Sequence, residues 1–160
     1  MRRQILLIVL SLCLLLALTG CSSNAGRAVY GDDAMIAGED RYQIGSFSGD
    51  VGEASYSGTF LNASGSRSLW VYNASAPETH AIDCTLSLKK GRAKLVLVTP
   101  EGSVATLLEV SATSPVDTSV LTLEVPKGES VLKIVMDDVS EMTMALHFDG
   151  GTSWQPQGAR

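Results

Sequence analysis

Apolar and polar residues alternate along most of the chain between residues 42 and 149, in segments rich in Val, Thr and Leu. This period of two is typical of β-strands that bury one face. Glycine and proline residues separate the segments at short, even spacings, and no long helix is indicated. The chain therefore predicts an all-β fold, a jelly-roll-like antiparallel β-sandwich of about eight or nine strands. The predicted strands are Tyr42–Ser48, Ala54–Leu61, Ser66–Asn73, Glu78–Lys89, Ala93–Thr99, Ser103–Val110, Ser119–Val125, Glu129–Met136 and Met142–Phe148.

The two ends of the chain lack this alternation. Residues 21–41 are polar and glycine-containing, which predicts a flexible tether, although Asp33–Ala37 can form a short helical turn. Residues 150–160 predict a flexible tail. One sandwich domain is therefore expected over residues 42–149, a length that can bury an ordinary core.

The first residues have the order of a secretory signal peptide. Arg2 and Arg3 form a basic start, the apolar run Ile5–Leu18 follows, and small residues lead into Cys21. The alternative is an uncleaved membrane anchor, but a membrane-spanning helix needs about 20 apolar residues and this run is shorter. We therefore predict a signal peptide over residues 1–20.

The motif Leu18-Thr19-Gly20-Cys21 resembles the lipobox of bacterial lipoproteins. In that family the cysteine receives a diacylglycerol and further acyl chains such as palmitate, and the preceding peptide is removed. The resemblance implies a lipidated Cys21 at the start of the mature chain, anchored to a bacterial membrane on its extracytoplasmic side. Two or more acyl chains hold a protein stably on a bilayer, whereas one does so only marginally. Apart from this covalent lipid, no cofactor is expected.

A second resemblance concerns the hairpin predicted over Gly91–Glu109, which turns at Pro100-Glu101-Gly102. It is similar to hairpins of secreted jelly-roll domains, among them carbohydrate-binding modules and the P-domains of processing proteases. The resemblance supports the fold, and a fold alone does not assign a function.

Charge and cysteine content exclude some functions. The chain has 12 basic and 17 acidic residues, and its net charge is −5. An acidic protein of this kind is not expected to bind nucleic acid. Cys84 is the one cysteine left after Cys13 leaves with the signal peptide and Cys21 takes the lipid. Its phase with neighbouring apolar residues predicts a buried, inert thiol.

The sequence offers little catalytic chemistry. His80 follows Pro77 in a polar turn, and His147 is predicted to point to solvent. Neither has a sequence neighbour at the spacing of a metal site or a catalytic triad, so no catalytic residue and no enzyme is predicted. An enzyme would require one of these histidines to meet a carboxylate and a nucleophile in one cleft.

Asp137 and Asp138 are weak candidates for calcium, which prefers carboxylate oxygens, but acidic pairs in turns are usually only solvated.

Aromatic residues are the remaining candidates for binding. Trp70 and Tyr72 are two residues apart and share one face of a strand, whereas Leu69 and Val71 share the other. If Leu69 and Val71 pack the core, Trp70 and Tyr72 form an exposed shelf, with Tyr56 as a possible neighbour, that could stack on sugar rings. The alternative is that Trp70 anchors the core.

The sequence therefore predicts a membrane-anchored envelope lipoprotein with a non-enzymatic binding or interaction domain. Its partner would be a glycan or another envelope protein. The alternative is a structural or assembly subunit of a larger surface complex, with any activity in a partner. The exposure of the face that carries Trp70 and Tyr72 distinguishes the two readings.

Overall fold

The structure, a computed structural model, describes residues 28–114, 116–149 and 154–157, without the side chains of residues 116–118. The predicted signal peptide and Cys21 lie outside these residues. Within them, residues 28–30 are helical, and one further helix and eight strands follow. No helix in this part of the chain combines the length and apolar character needed to cross a bilayer. The elements are α1 Asp33–Ala37, β1 Arg41–Val51, β2 Ser55–Ala74, β3 Glu78–Leu88, β4 Arg92–Val98, β5 Val104–Ser111, β6 Val116–Val125, β7 Gly128–Phe148 and β8 Gln155–Pro156.

Strands β2 and β7 form a long antiparallel ribbon of 20 and 21 residues. The sequence predicted two separate strands in place of each of these long strands, because Asn62-Ala63-Ser64-Gly65 and Asp137-Asp138 have the composition of turns. The chain bends at these places and stays paired. Asn62 and Asp138 have positive φ angles of 51° and 52°, and Gly65 has a φ of 104°. Such irregularities let an antiparallel ribbon bend without ending.

The bent ribbon takes part in two layers of strands. In the first layer the order is β1–β2–β7–β3–β6, with β3 paired to Met142–Phe148 of β7. In the second layer, β4 pairs with Val131–Asp137 of β7, and β5 pairs with β4. The short strand β8 pairs with β2 at Trp70 and Val71. All these pairings are antiparallel, and the two layers enclose one core. The fold is the predicted all-β, jelly-roll-like antiparallel sandwich.

The core takes side chains from both layers. Trp70, in the second layer, contacts Tyr56 and Phe148 of the first layer, at ring-centroid distances of 5.7 and 5.1 Å. The pairing of β2 shifts by one residue between Ser68 and Trp70. Because of this shift, the neighbouring residues Leu69 and Trp70 are both fully buried in the same core, whereas strict alternation would place them on opposite faces of the strand.

Residues 28–40 pack against the outer face of the second layer. Asp32 caps α1 by accepting a hydrogen bond from the backbone N–H of Met35, at 3.1 Å. The segment buries apolar side chains against three valines of the sheet. This contact consists of Val29, Tyr30, Ile36, Val96, Val98 and Val135. The helical turn at Asp33–Ala37 is confirmed, whereas the tether predicted over residues 21–41 is too long, because its described residues belong to the domain.

A buried lysine joins this N-terminal segment to the sheet. Lys133 Nζ donates a hydrogen bond to the carbonyl oxygen of Gly38 at 2.6 Å and lies 3.2 Å from Asp40 Oδ1. Asp40 also accepts hydrogen bonds from the backbone N–H and the hydroxyl of Ser68. A buried cation is tolerable only with such partners, so the ion pair ties the segment to the ribbon.

The C-terminal residues also pack on the domain where they are described. Trp154 is buried, and its ring stacks on Tyr72 and Phe148 at centroid distances of 5.0 Å each. The backbone N–H of Gln157 donates to the carbonyl oxygen of Leu69 at 2.8 Å. The flexible tail predicted over residues 150–160 therefore includes residues that the core holds in place.

The remaining strand predictions agree with the structure to within three residues at each end. The hairpin of β4 and β5 is present, and it turns at Pro100-Glu101-Gly102, where Gly102 has a φ of 80°. Only glycine adopts that angle readily, which is why the turn was recognisable from the sequence.

Substitution of Ile36 tests whether residues 28–40 are part of the folded domain. Ile36→Ala removes a fully buried side chain and should lower the free energy of unfolding by about 2–5 kcal/mol. Glu39→Ala, at an exposed position in the same segment, should change it by less than about 0.5 kcal/mol. Urea unfolding of the chain from residue 21, with Cys21→Ser in both variants, measures the difference. Equal, small effects would show that the segment does not pack on the sheet.

Candidate functional site

The predicted aromatic shelf is not present, because its tryptophan lies in the core. Trp70 and Tyr56 are both fully buried, and the indole N–H of Trp70 donates to the carbonyl oxygen of Gly52 at 3.1 Å. The register shift beside Trp70 turns its side chain inward together with that of Leu69. The alternative reading, in which Trp70 anchors the core, is what the structure shows. Neither Trp70 nor Tyr56 offers a surface for stacking on a sugar.

Tyr72 is partly buried and engaged on several sides. Its hydroxyl donates to Glu78 Oε2 at 2.7 Å, and this hydrogen bond is the main reason why the pKa of Tyr72 is raised. The Trp154 ring stacks on it, and the His80 ring meets it edge-on at 5.0 Å. The Trp154 side of the phenol ring is therefore closed to a ligand.

The two histidines lie in different places. His80 belongs to β3 and not to a turn, and its Nε2 is 3.5 Å from Glu78 Oε2. His147 is exposed, as predicted, and lies in register between Ser55 on β2 and Asp83 on β3. Serine, histidine and aspartate thus share one row, at a shallow cavity of about 270 Å³. Among the described residues, however, no hydrogen bond joins His147 to Ser55 or Asp83, so the row lacks the contacts that activate a serine nucleophile.

The calcium candidates are held in ion pairs. Asp137 Oδ2 is 3.0 Å from Nε of Arg92, and Asp138 Oδ2 is 2.9 Å from Nζ of Lys90. Across the described ranges, no three His, Cys, Asp or Glu side chains are grouped so that they could hold a metal ion. Each aspartate is therefore balanced by a basic side chain of the same fold.

Cys84 is a buried free thiol, as predicted. Burial raises the pKa of the Cys84 thiol to about 11, so the group stays protonated at neutral pH. A protonated thiol inside the core is a poor nucleophile, so Cys84 has a packing role.

One concave surface at the loop end of the sandwich is acidic. It has a volume of about 470 Å³ and is lined by Glu78, Glu101 and Glu124, with Pro77 and Thr79 among its other residues. Thr79 Oγ1 donates to Glu124 Oε2 at 3.1 Å. Three carboxylates in one cleft make it unfavourable for an anionic ligand.

A different groove, of about 570 Å³, lies along edge strand β1. We refer to it as the β1 groove. Tyr42 is the exposed aromatic side chain of this groove, with 49% of its surface accessible, and Arg67 is 6% exposed. The groove is lined by Tyr42, Ile44, Ser46, Phe47, Ser48, Gly49 and Arg67.

The local fold explains how the aromatic wall of the β1 groove is held. Phe47 packs on Phe60 and Tyr56, at centroid distances of 4.8 and 5.6 Å. On the paired strand β2, a Cβ atom at Gly58 would lie 2.5 Å from the Phe47 ring. Glycine at this position therefore leaves room for the ring, and Phe47 forms a rigid side of the groove.

Arg67 reaches the groove from the part of β2 that belongs to the second layer. Its guanidinium carbon lies 5.5 Å from the ring centroids of both Tyr42 and Phe47. Guanidinium groups bind aromatic faces through cation–π attraction and keep five N–H donors in one plane. The groove thus combines an exposed aromatic ring with a guanidinium group, and two serines also line it.

Sequence reasoning missed this site because Tyr42 and Arg67 are 25 residues apart and lie in different predicted strands. One signal was present. The apolar positions of β1 are Tyr42, Ile44 and then Phe47, which departs from a period of two. This departure lies opposite the bend at Asn62, and it places all three side chains on the groove side.

Comparison with known proteins gives no family. No protein-family model and no curated protein sequence matches this chain. Solved structures with a similar fold include a family 35 carbohydrate-binding module from an environmental isolate, at 14% identity and a TM-score of 0.37, covering 75% of this chain and 83% of the module. A second is carbohydrate-binding module CBM6cm-2 of Cellvibrio mixtus lichenase 5A in complex with cellotriose, at 11% identity and a TM-score of 0.38, covering 69% of this chain and 91% of the module.

A third similar structure, PirA, is not described as a carbohydrate-binding module. It has 10% identity and a TM-score of 0.41, and the match covers 62% of this chain and 97% of PirA. At such low identities and TM-scores, these matches carry no argument about what this chain binds.

Paired alanine substitutions separate the core aromatic residue from the exposed one. Trp70→Ala should lower the free energy of unfolding by about 3–5 kcal/mol, because it empties the centre of the core. Tyr42→Ala, at a half-exposed ring, should cost less than about 1.5 kcal/mol. Chemical denaturation monitored by tryptophan fluorescence for Tyr42→Ala, and by circular dichroism for both variants, gives the comparison. A Trp70→Ala protein as stable as Tyr42→Ala would contradict the placement of Trp70 in the core.

Proposed function

We propose that this protein is a lipid-anchored lipoprotein of a bacterial envelope, and that its β-sandwich binds a glycan in the β1 groove without catalysing a reaction. The anchor is supported by the motif Leu18-Thr19-Gly20-Cys21 after a basic and apolar start. The glycan is supported by one observation above all, the exposed Tyr42 ring in a groove that Arg67 and two serines also line.

The proposed anchor would hold the domain close to the membrane. Residue 28 already belongs to the described domain, so it lies seven positions after Cys21 in the sequence. A fully extended chain spans at most about 3.6 Å per residue, which limits this distance to about 25 Å. The domain would therefore act within the first layers of envelope material beside the lipid surface, on the extracytoplasmic side.

The chemistry of the β1 groove suits a sugar. The C–H faces of sugar rings are apolar and can lie on an exposed aromatic ring, while their hydroxyls need donors and acceptors nearby. Tyr42 supplies the ring, and Ser46, Ser48 and Arg67 supply polar groups around it. Its volume falls within the range of about 300–1,000 Å³ that is usual for small-ligand sites.

A binding role without catalysis fits the side chains at the groove. Among the described residues, its lining contains no histidine, cysteine, aspartate or glutamate that could act as nucleophile or general acid–base. The row of Ser55, His147 and Asp83 lies on another surface and lacks activating hydrogen bonds among the described residues.

A second candidate function is that of an assembly subunit, and the edge position of β1 favours it. In the described sheet, β1 pairs on one side only, with β2, over 11 residues. An exposed edge strand can accept a strand of another protein through backbone hydrogen bonds. The two charged side chains of this edge strand, Arg41 and Asp50, are of the kind that discourages unspecific pairing.

Replacement of the proposed lipidated cysteine tests the anchor. Cys21→Ala should abolish labelling by a palmitate analogue in cells and move the protein out of the membrane fraction, because no acyl chain can attach. Cys84→Ala is the matched control, since it removes the buried cysteine and should leave labelling intact. Labelled, membrane-bound Cys21→Ala protein would contradict the lipoprotein proposal.

A glycan screen tests the binding proposal. The chain from residue 21, carrying Cys21→Ser, should bind specific envelope polysaccharides, and Tyr42→Ala should weaken binding about tenfold, equivalent to about 1.4 kcal/mol. Val120→Ala is the control, because Val120 is also an exposed apolar residue, on β6, and does not line the groove. Equal binding by all three proteins would place the site elsewhere, and binding to no glycan would favour the assembly role.

A further inference from the structure

We infer that strand β1 is a self-association surface, along which two copies of this chain pair antiparallel about a two-fold axis. In this dimer, Arg41 of each copy lies opposite Asp50 of the other. The inference is independent of the proposed glycan binding. It makes the second candidate function specific, because it names the partner as a second copy of this chain.

Strand β1 is an open edge. In the described sheet it pairs with β2 along one side only, and none of its 11 residues is buried. The backbone N–H and C=O groups on the outer side of an edge strand can pair with another strand. Proteins commonly protect such edges with charged residues, with proline or by keeping the strand short, but residues 42–49 contain no charged residue and no proline. The middle of this edge is therefore open to pairing.

The two charged residues of β1 have opposite signs and lie at opposite ends of the strand. Arg41 is its first residue and Asp50 its tenth. In an antiparallel pair, the start of one strand lies beside the end of the other, so two copies can set each arginine opposite an aspartate. Both side chains are exposed, and within the described ranges neither forms an ion pair in its own chain. Both are therefore available to a second copy.

The faces of β1 agree with this pairing, because opposite residues of two antiparallel strands must share a face of the sheet. Ile44 and Val51 both pack against the core. Alternation back from Ile44 places Arg41 on the outer face, and alternation back from Val51 places Asp50 there as well. Strict alternation would put residues nine positions apart on opposite faces. The change of phase at the bend opposite Asn62 brings the two charges to the same face.

The same register also matches the residues between the two charges. Gln43 lies opposite Ser48 of the other copy, on the outer face. Ile44 lies opposite Phe47, on the core side, so two apolar side chains meet. The two-fold axis passes between residues 45 and 46, and each contact therefore occurs twice. Since Ile44 and Phe47 line the β1 groove, the dimer places its two grooves side by side.

The other long edge strands of the described sheet lack this complementarity. Strands β5 and β6 each pair with one neighbouring strand, β4 and β3. Their charged residues are all acidic. Two copies of either strand would bring only negative charges to the shared edge, which gives no attraction and favours separation. Strand β1 is therefore the edge at which this acidic chain can pair with itself.

Analytical ultracentrifugation of the chain from residue 21, with Cys21→Ser, measures the self-association. Dimers should form with rising concentration and predominate by about 1 mM. Arg41→Asp and Asp50→Arg should each weaken dimerisation about tenfold, because each sets like charges opposite one another at both ends of the pair. Lys127→Asp makes the same change of charge at an exposed position outside β1 and should alter dimerisation less than about twofold.

Mixing the two charge variants distinguishes lost pairing from lost folding. Equal amounts of the Arg41→Asp and Asp50→Arg proteins should form mixed dimers, because opposite charges again face each other at both ends of the pair. The double variant with both substitutions should recover self-association for the same reason. A substitution that merely damaged the fold could not be rescued in this way.

Cysteine crosslinking tests the register of the pair. Gln43→Cys and Ser48→Cys proteins, mixed and oxidised, should form a disulfide-linked dimer, because the register sets these two exposed positions opposite each other. Either protein alone should crosslink much less, since its two cysteines lie five residues out of register. Cys84 is buried and is not expected to react. Equal crosslinking of the mixture and of each protein alone would contradict the register.

Three results would overturn the inference. These are a chain that stays monomeric up to about 1 mM, a dimer that neither charge substitution weakens, and charge variants that stay monomeric after mixing. None of them affects the glycan screen, which tests the β1 groove of a single copy. A monomer that binds a glycan would leave the proposed function standing and remove only the self-association.

Discussion

Continuous pairing of β2 with β7 is the constraint on which the rest of the structure depends. These two strands serve both layers, so they must bend from one layer into the other without losing their hydrogen bonds. Asn62 and Asp138 adopt left-handed backbone angles at the bends, which costs of order 1 kcal/mol each for a residue with a side chain. Gly65 is required where a Cβ atom would collide with the backbone of Arg41. The ladder that continues beyond the bends offsets this cost.

The ribbon also places two buried cations on opposite faces of the second layer. Lys133 is the register partner of Ser68 and points outward, where Asp40 accepts from both residues. Arg67, one position earlier on β2, lines the β1 groove and lies against Tyr42 and Phe47. Burying a cation is unfavourable unless it has partners, so each cation holds its partners in place. Lys133 holds the N-terminal segment against the sheet, and Arg67 forms part of the β1 groove.

Much of the architecture could be predicted from the sequence, and the candidate site could not. The hairpin at Pro100-Glu101-Gly102 and the buried thiol of Cys84 were predictable because turn chemistry and apolar phase are local properties. Lipidation at Cys21 stays a prediction, since this residue lies outside the described part of the chain. The predicted aromatic site required an exposed Trp70. This prediction was wrong, because Trp70 faces inward next to Leu69. No local pattern indicated the register shift that turns it.

The sequence by itself determined the class of fold, because a period-two pattern with glycine and proline turns can bury its apolar face only by packing sheets. It also determined the overall acidity of the chain. Only the tertiary structure decided which aromatic residues are exposed, and which cation meets them. The physical reason is that successive side chains of a strand point to opposite faces of the sheet. A single bulge therefore moves the side chains that follow it to the other face. Bulge positions follow from pairing between distant strands, so Tyr42 and Arg67 meet only when β1, β2 and β7 are assembled.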